Sequence, residues 1–283
     1  MLQSAPSTTA LGGFDAGACP LGAAGQTPRP CAQQWSGLAE VLALLGLAET
    51  DLSGAREASF LRRRMAAGQT LYLQGDACAT LYVVRLGTFK TGLVEAEGNE
   101  QILGFWLRGD LLGSDGLADG VHSSYAVALE DSEIIAIHLA GLAHWGLAGE
   151  RLERELYRLT SRQMVRQSAA FLNVGTLGAE ARVGRLLLTL AQRYGQLGYS
   201  SSQFNLRMSR QDMANHLGLT LETVSRSLSA LVARGAIDVQ HRAIVIRDRD
   251  ALLARHAACA PAARGSHPSG RRASAAAAAA AMQ

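Results

Sequence analysis

Glu222, Ser225 and Arg226 stand at positions i, i+3 and i+4, so on a helix they share one face. Their hydrogen-bonding groups match the edges of nucleobases. The planar fork of Arg226 can bridge O6 and N7 of a guanine, the Glu222 carboxylate can accept from the amino group of a cytosine, and the Ser225 hydroxyl can donate or accept. A plainer reading makes Glu222 and Arg226 a helix-surface ion pair, which stabilises a helix by about 0.2–0.5 kcal/mol. The two readings are compatible, because such a pair would also hold Arg226 in position.

The stretch that must position these groups is 208–239, MSRQDMANHLGLTLETVSRSLSALVARGAIDV. Ser209 can cap a helix whose positive end Asp212 would favour, and Met213, Ala214 and Leu217 give that helix an apolar stripe. Gly218 and Leu219 make a sharp turn, Thr220 caps a second helix, and Val224, Leu228 and Leu231 face inward until Gly235 ends it. The pattern predicts a helix-turn-helix. Two short β runs, 236–239 and 243–247, follow around Gln-His-Arg and read as the wing of a winged helix with Arg242 at its tip. Double-stranded DNA is the expected partner, with Ser209, Arg210, Thr220 and Arg242 as candidates for its backbone.

Charge agrees with this placement. Between residues 60 and 147 there are six bases and ten acids, whereas between 180 and 256 there are eleven bases and six acids. A basic C-terminal module facing a polyanion is the expectation.

Upstream, glycines at 68, 75, 87, 98 and 109 separate short apolar runs. Strands are expected at 71–73, 81–84, 89–94, 101–107, 125–129 and 133–137, forming a small sandwich or barrel. Between Gly149 and Gly175 lie 25 residues without Gly or Pro, long enough for a helix of roughly 35–40 Å. Leu152, Leu156, Leu159 and Met164 read as an imperfect heptad seam of a homodimer, the alternative being a connector packed on its own subunit. The expected organisation is α+β: a disordered arm at 1–34, a β-roll sensor at 35–148, a dimerisation helix at 149–175, a winged helix at 176–256 and a disordered tail at 257–283.

The composition, 48% hydrophobic and 18% charged, is that of a globular chain. No apolar run reaches the length of a membrane span and no secretory signal pattern opens the sequence, so a soluble, cytoplasmic protein without a membrane partner is expected. Four cysteines, Cys19, Cys31, Cys78 and Cys259, are too few and scattered for a disulfide framework. No nucleophile, base and orienting group can be assembled, nor any P-loop or zinc spacing, so no catalytic residues are assigned and an enzyme is not expected.

Taken together, the β-roll, long helix and winged helix with E-x-x-S-R resemble the CRP/FNR superfamily of bacterial transcription regulators, over roughly residues 35–255. The FNR branch is resembled in GQTLYLQGD (68–76), LYVVRLGTFK (81–90), EQILGFWLRGDLLGSDGL (100–117) and GLTLETVSR (218–226). The resemblance implies a cyclic-nucleotide-binding-like β-roll and a homodimer reading an inverted repeat like TTGAT-N4-ATCAA. Arg226 would read the guanine, Glu222 a cytosine on the paired strand and Ser225 a thymine. It also implies RNA polymerase as a partner and control of low-oxygen, nitric-oxide or redox-related genes.

The sensed signal is less legible. Cyclic-AMP-binding relatives hold the phosphate with an Arg beside a Ser after a Gly-Glu pair. This chain has Gly109-Asp110, no base until Arg151, and His122-Ser123-Ser124 beside Asp115 and Asp119 in the matching region. Cyclic AMP is therefore not expected. The FNR pattern holds a four-iron cluster with three N-terminal cysteines and one in the roll; only Cys19 and Cys31 lie near the N-terminus, and Ala136 stands at the fourth position. Cys19, Cys31 and Cys78 are weak candidates for metal ligation, and His122, His138 and His144 for haem. The leading expectation is no cofactor, as in cysteine-poor FNR-like regulators controlled by their own synthesis or by thiol oxidation.

Overall fold

The computed structural model describes residues 34–47, 58–142, 144 and 146–253. Two antiparallel sheets form a β-roll. One, ordered β1-β2-β9-β4-β7, comprises β1 (Gln34–Gly37), β2 (Ser59–Met65), β4 (Thr80–Leu86), β7 (Leu111–Leu112) and β9 (Ser132–His138). The other, ordered β3-β8-β5-β6, comprises β3 (Thr70–Tyr72), β5 (Phe89–Val94), β6 (Glu100–Trp106) and β8 (Tyr125–Ala128).

Strand alternation explains how the first sheet is buried on both faces. Val84 and Ile134 join Met65, Leu71, Phe89, Leu112 and Ala126 in one apolar cluster. Their neighbours Leu81, Val83, Ile135 and Ile137 join a second one, formed with α1 (Leu38–Leu45) and the long helix α3 (Leu147–Thr176). A continuous apolar strand such as β9 is what a two-sided position requires.

All six expected strands are present, with small shifts: β3 ends at Tyr72 and leaves Leu73 exposed. Strands β1, β2 and β7 were not expected. In β2 the run Arg62-Arg63-Arg64 hides the strand pattern. The fold accommodates this charge by pairing Arg62 Nη2 with Glu40 (2.5 Å) and Arg64 Nε with Glu133 (3.0 Å), two carboxylates that Arg85 of β4 also bridges (2.7 and 2.6 Å). Gln34, assigned to the arm, is the first residue of β1; the rest of the expected arm and the tail from 257 lie outside the described residues.

Helix α3 has 30 residues, about 45 Å at 1.5 Å per residue. It begins before Gly149, where a Cβ would stand 1.8 Å from the Leu142 carbonyl oxygen of the short helix α2 (Leu139–Leu142). The expected seam needs correction. Leu152 and Leu156 are each only 1% exposed, packed with Leu81, Val83, Ile135 and Ile137 of their own roll, and Leu159 is half-buried against the same cluster. Those leucines thus follow the connector alternative. Met164 alone of the four is exposed, at 62%, with Tyr157 at 55% and Val165 at 69%.

The C-terminal part contains α4 (Ala179–Gln196), α5 (Arg210–Leu217), α6 (Leu221–Ala233), α7 (Arg249–Leu253) and a sheet ordered β10-β12-β11. Its strands are β10 (Gln203–Asn205), β11 (Ile237–Gln240) and β12 (Ala243–Ile246). Gln240 pairs with Ala243, so His241 and Arg242 alone make the wing turn, and His241 takes a positive φ of 55°. The third strand, β10, was not expected. Ile102, Phe105 and Tyr125 of the roll belong to the same apolar cluster as Leu187, Met213, Val224 and Ile244, so the two parts share one core.

Candidate DNA-reading interface

Local chemistry sets both helices of the motif. Ser209 caps α5 by accepting from the Asp212 amide (3.0 Å), while the Asp212 carboxylate accepts from the Ser209 amide (2.8 Å) and hydroxyl (2.7 Å), a full capping box. Gly218, at φ 61°, stops the helix in the left-handed region that a Cβ disfavours. From α4, Arg182 donates to the Leu217 carbonyl (3.0 Å) and so satisfies one orphan acceptor at the end of α5. Thr220 caps α6 by accepting from the Thr223 amide (3.1 Å).

Helix α6 buries Val224, Ser227, Leu228 and Leu231 and turns Glu222 and Arg226 outward, 71% and 77% exposed as side chains. These two form the i,i+4 ion pair expected from their spacing. Ser225 stands beside them, and Arg210 of α5 donates to its hydroxyl at 3.4 Å. The polar face is therefore continuous across both helices. Thr220, Arg210 and Arg242 are exposed around it. Ser209 is exposed too, but its hydroxyl is already engaged twice by Asp212.

Sequence reasoning missed how this unit is held. Lys90, the chain's only lysine, reaches from β5 to Asp212 of the capping box (2.7 Å) and to Glu100 of β6 (3.0 Å). Glu100 also accepts from Asn215 Nδ2 (2.8 Å) and from the Tyr125 hydroxyl. His216 Nδ1 donates to the Ile102 carbonyl (3.1 Å), its ring edge-on to Phe105. Burial by itself would push both carboxyls up and the ammonium down; the hydrogen bonds among them outweigh it, leaving Asp212 and Glu100 below and Lys90 above their usual values. For His216 burial prevails over its one hydrogen bond and lowers its pKa. The signal that could have found the contact is a lone lysine in an arginine-rich chain.

Residues 181–255 match the family model described as a Crp-like helix-turn-helix domain, and 62–144 that of a cyclic nucleotide-binding domain. The chain is 39% identical over 215 residues to the "Transcriptional regulatory protein btr" of Bordetella pertussis, spanning 76% of this chain and 89% of that protein. The chain belongs to the CRP/FNR family. Another CRP/FNR relative, the "Fumarate and nitrate reduction regulatory protein" of Escherichia coli K12, is 36% identical over 191 residues, 68% of this chain and 76% of the relative. Among solved CRP/FNR structures, FixK2 from Bradyrhizobium japonicum aligns with a TM-score of 0.63 at 28% identity, covering 71% of this chain and 99% of that one. This CRP/FNR member is a DNA-binding transcription regulator and not an enzyme. Among its described residues no helix is long and apolar enough to cross a membrane.

The ligand named by the second CRP/FNR domain model does not fit the roll of this chain. A cavity of about 290 Å³ between the roll and α3 is lined by Tyr72, Thr91, Trp106, Asp115, Ser124 and Gln163 among others, and by no Lys or Arg. Asp115 accepts from the Ser124 amide (2.9 Å) and hydroxyl (2.8 Å) and lies 3.2 Å from His122 Nδ1. A cyclic phosphate would meet a carboxylate there instead of a counter-charge.

The metal candidates fare similarly. Cys19 and Cys31 lie outside the described residues. Cys78 is buried and donates to the Gly113 carbonyl at 3.2 Å, and burial, then the Asp115 charge, pushes its thiol up, away from the thiolate that ligation needs. His122 stacks on Tyr72 with ring centroids 3.7 Å apart, His138 Nδ1 lies 2.8 Å from the Thr80 hydroxyl, and His144 Nδ1 donates to the Ala140 carbonyl. No group of three or more His, Cys, Asp or Glu able to hold a metal ion occurs among the described residues.

Proposed function

We propose that the chain works as a homodimer that reads an inverted repeat resembling TTGAT-N4-ATCAA, with one α6 in the major groove of each half-site. Arg226 reads the guanine, Glu222 the cytosine opposite, and Ser225 a thymine, while Arg210, Thr220 and Arg242 hold the phosphates. The observation that carries this reading is the face on which exposed Glu222 and Arg226 flank the half-buried Ser225, on a helix capped at Thr220 and backed by an apolar core. A surface pair worth a few tenths of a kcal/mol is readily exchanged for bidentate base contacts. Dimerisation uses Tyr157 with Met164 and Val165, seven and eight positions after it, large apolar side chains exposed on α3.

Bound at a promoter, such a dimer acts through RNA polymerase. The fumarate and nitrate reduction in the name of the Escherichia coli relative supports redox-related genes, among the expected low-oxygen, nitric-oxide or redox-related ones, as targets.

Fluorescence anisotropy with a duplex carrying the repeat tests the reading. Binding should saturate at two chains per duplex and log affinity should fall linearly with log salt, because neutralised phosphates release counterions. Equal affinity for the repeat and for a scrambled duplex would refute it. Transcription from a template carrying the repeat, with purified RNA polymerase, should respond to the protein; an unchanged transcript level would refute that partner.

A further inference from the structure

A second cavity, of about 330 Å³, opens between α1, the turn from β6 to β7, α3 and α4. That volume falls in the range of about 300–1,000 Å³ typical of small-molecule sites. We propose that it binds a phosphate-bearing small molecule. Its wall carries four guanidiniums, Arg108, Arg162, Arg166 and Arg193, against the single carboxylate of Asp110.

Asp110 cannot neutralise this set. It bonds Arg193 and lies 3.4 Å from Arg166, while also accepting from the Leu107 amide at 2.7 Å. Arg108 and Arg162 have no ion-pair partner among the described residues. Burial depresses the Arg166 guanidinium; Asp110 opposes this, and the charges of Arg193 and Arg162 add to it. An anion between these groups would relieve that repulsion.

A second copy of the chain does not supply the missing charge through α3. The nearest acids in sequence are Glu155, a full heptad before Arg162, and Glu180, two heptads after Arg166. A parallel partner helix in register therefore brings no carboxylate opposite them.

The chemistry favours phosphate over a monocarboxylate. Guanidinium forks match phosphate oxygens bidentately, and a dianion meets an excess of positive charge better than a monoanion does. Gln163 stands between this cavity and the one of about 290 Å³, lining both, donates from Nε2 to the Leu111 carbonyl (3.1 Å) and leaves its buried Oε1 without a partner among the described residues. A hydroxyl or amino group on the ligand would satisfy that acceptor. Leu44, Leu159 and Leu197 offer an apolar wall to the rest of the molecule. Such a ligand touches the roll, α3 and α4 together, and so braces the junction between the roll and the winged helix.

The test is calorimetry and thermal melting of the full chain at constant ionic strength, with chloride exchanged for inorganic phosphate or for ribose 5-phosphate. Either anion should bind and raise the melting temperature. Tighter binding of ribose 5-phosphate would assign an organic phosphate, and equal binding free phosphate. Replacing Arg162 and Arg166 by Gln should weaken binding by about tenfold or more, as loss of charge-assisted hydrogen bonds predicts. Arg108→Gln, on a different element and exposed, should weaken it in the same direction with the fold intact. Arg226→Ala with Arg242→Ala should leave it unchanged, which separates this site from the DNA-reading face and makes the result independent of that face's function. No difference between phosphate and chloride, or loss only in the Arg226/Arg242 variant, would overturn the proposal.

Discussion

Arg226 and Glu222 hold each other on an open face, so truncating either removes little from the folded chain. Arg226→Ala should therefore leave the melting curve in place while reducing preference for the guanine-containing site by about 1–3 kcal/mol. Competition binding with guanine-substituted duplexes measures this, and unchanged selectivity would refute the assignment. Lys90 is the opposite case. Its side chain is largely buried between Asp212 and Glu100, and without it two carboxylates would face each other with fewer donors. Lys90→Gln should lower stability by about 1–3 kcal/mol, the usual cost of leaving buried polar groups short of a partner. Urea unfolding reads the loss directly; a midpoint within error of the parent would mean that the contact contributes nothing. The two capped helices and the shared face of Glu222 and Arg226 were legible in sequence because their spacing, caps and stop signal lie within a few neighbouring residues. The Lys90–Asp212 contact was not, because its partners are 122 residues apart.

At the level of elements, α3 shows why a helix can be legible when its packing is not. A run without Gly or Pro announces the helix, yet a leucine stripe looks the same whether it meets a second copy or its own sheet. Leu152 and Leu156 meet their own sheet. Strand β2 was hidden for the converse reason, since Arg62 and Arg64 are matched by Glu40 and Glu133 from other elements. Two substitutions on α3 should thus behave differently. Leu156→Ala opens a cavity in the roll and should cost about 2–5 kcal/mol in unfolding experiments without disturbing the proposed dimer. Met164→Asp places a charge on an exposed apolar face and should yield a folded monomer by light scattering, with DNA affinity reduced in parallel. A Met164→Asp protein that stayed dimeric would move the seam elsewhere.

Across the whole molecule, the winged helix is docked on the roll by ionisable groups, so pH should control that contact. The sign follows from the direction of each shift. His216 is lowered from 6.5, so the unfolded chain binds its proton first; stability present above pH 6.5 is lost as pH falls through the folded value. Asp212 and Glu100 are lowered from 3.8 and 4.5, so their contribution is complete above those values and disappears at still lower pH. Lys90 is raised from 10.5, so its part is fully present below that value and is lost only in strong alkali. Acidification should therefore loosen the docking in two stages, first below about pH 6.5 as His216 charges beside the Ile102 carbonyl and Phe105, then below about pH 4 as the carboxylates are neutralised. Hydrogen exchange, normalised to intrinsic rates, should show α5 and β6 losing protection before β4 and β9, whose central residues pack in the apolar clusters of the roll. His216→Phe should remove the first stage and leave the second. Simultaneous loss of protection in all four elements would mean that the two parts unfold as one unit and that His216 does not set the order.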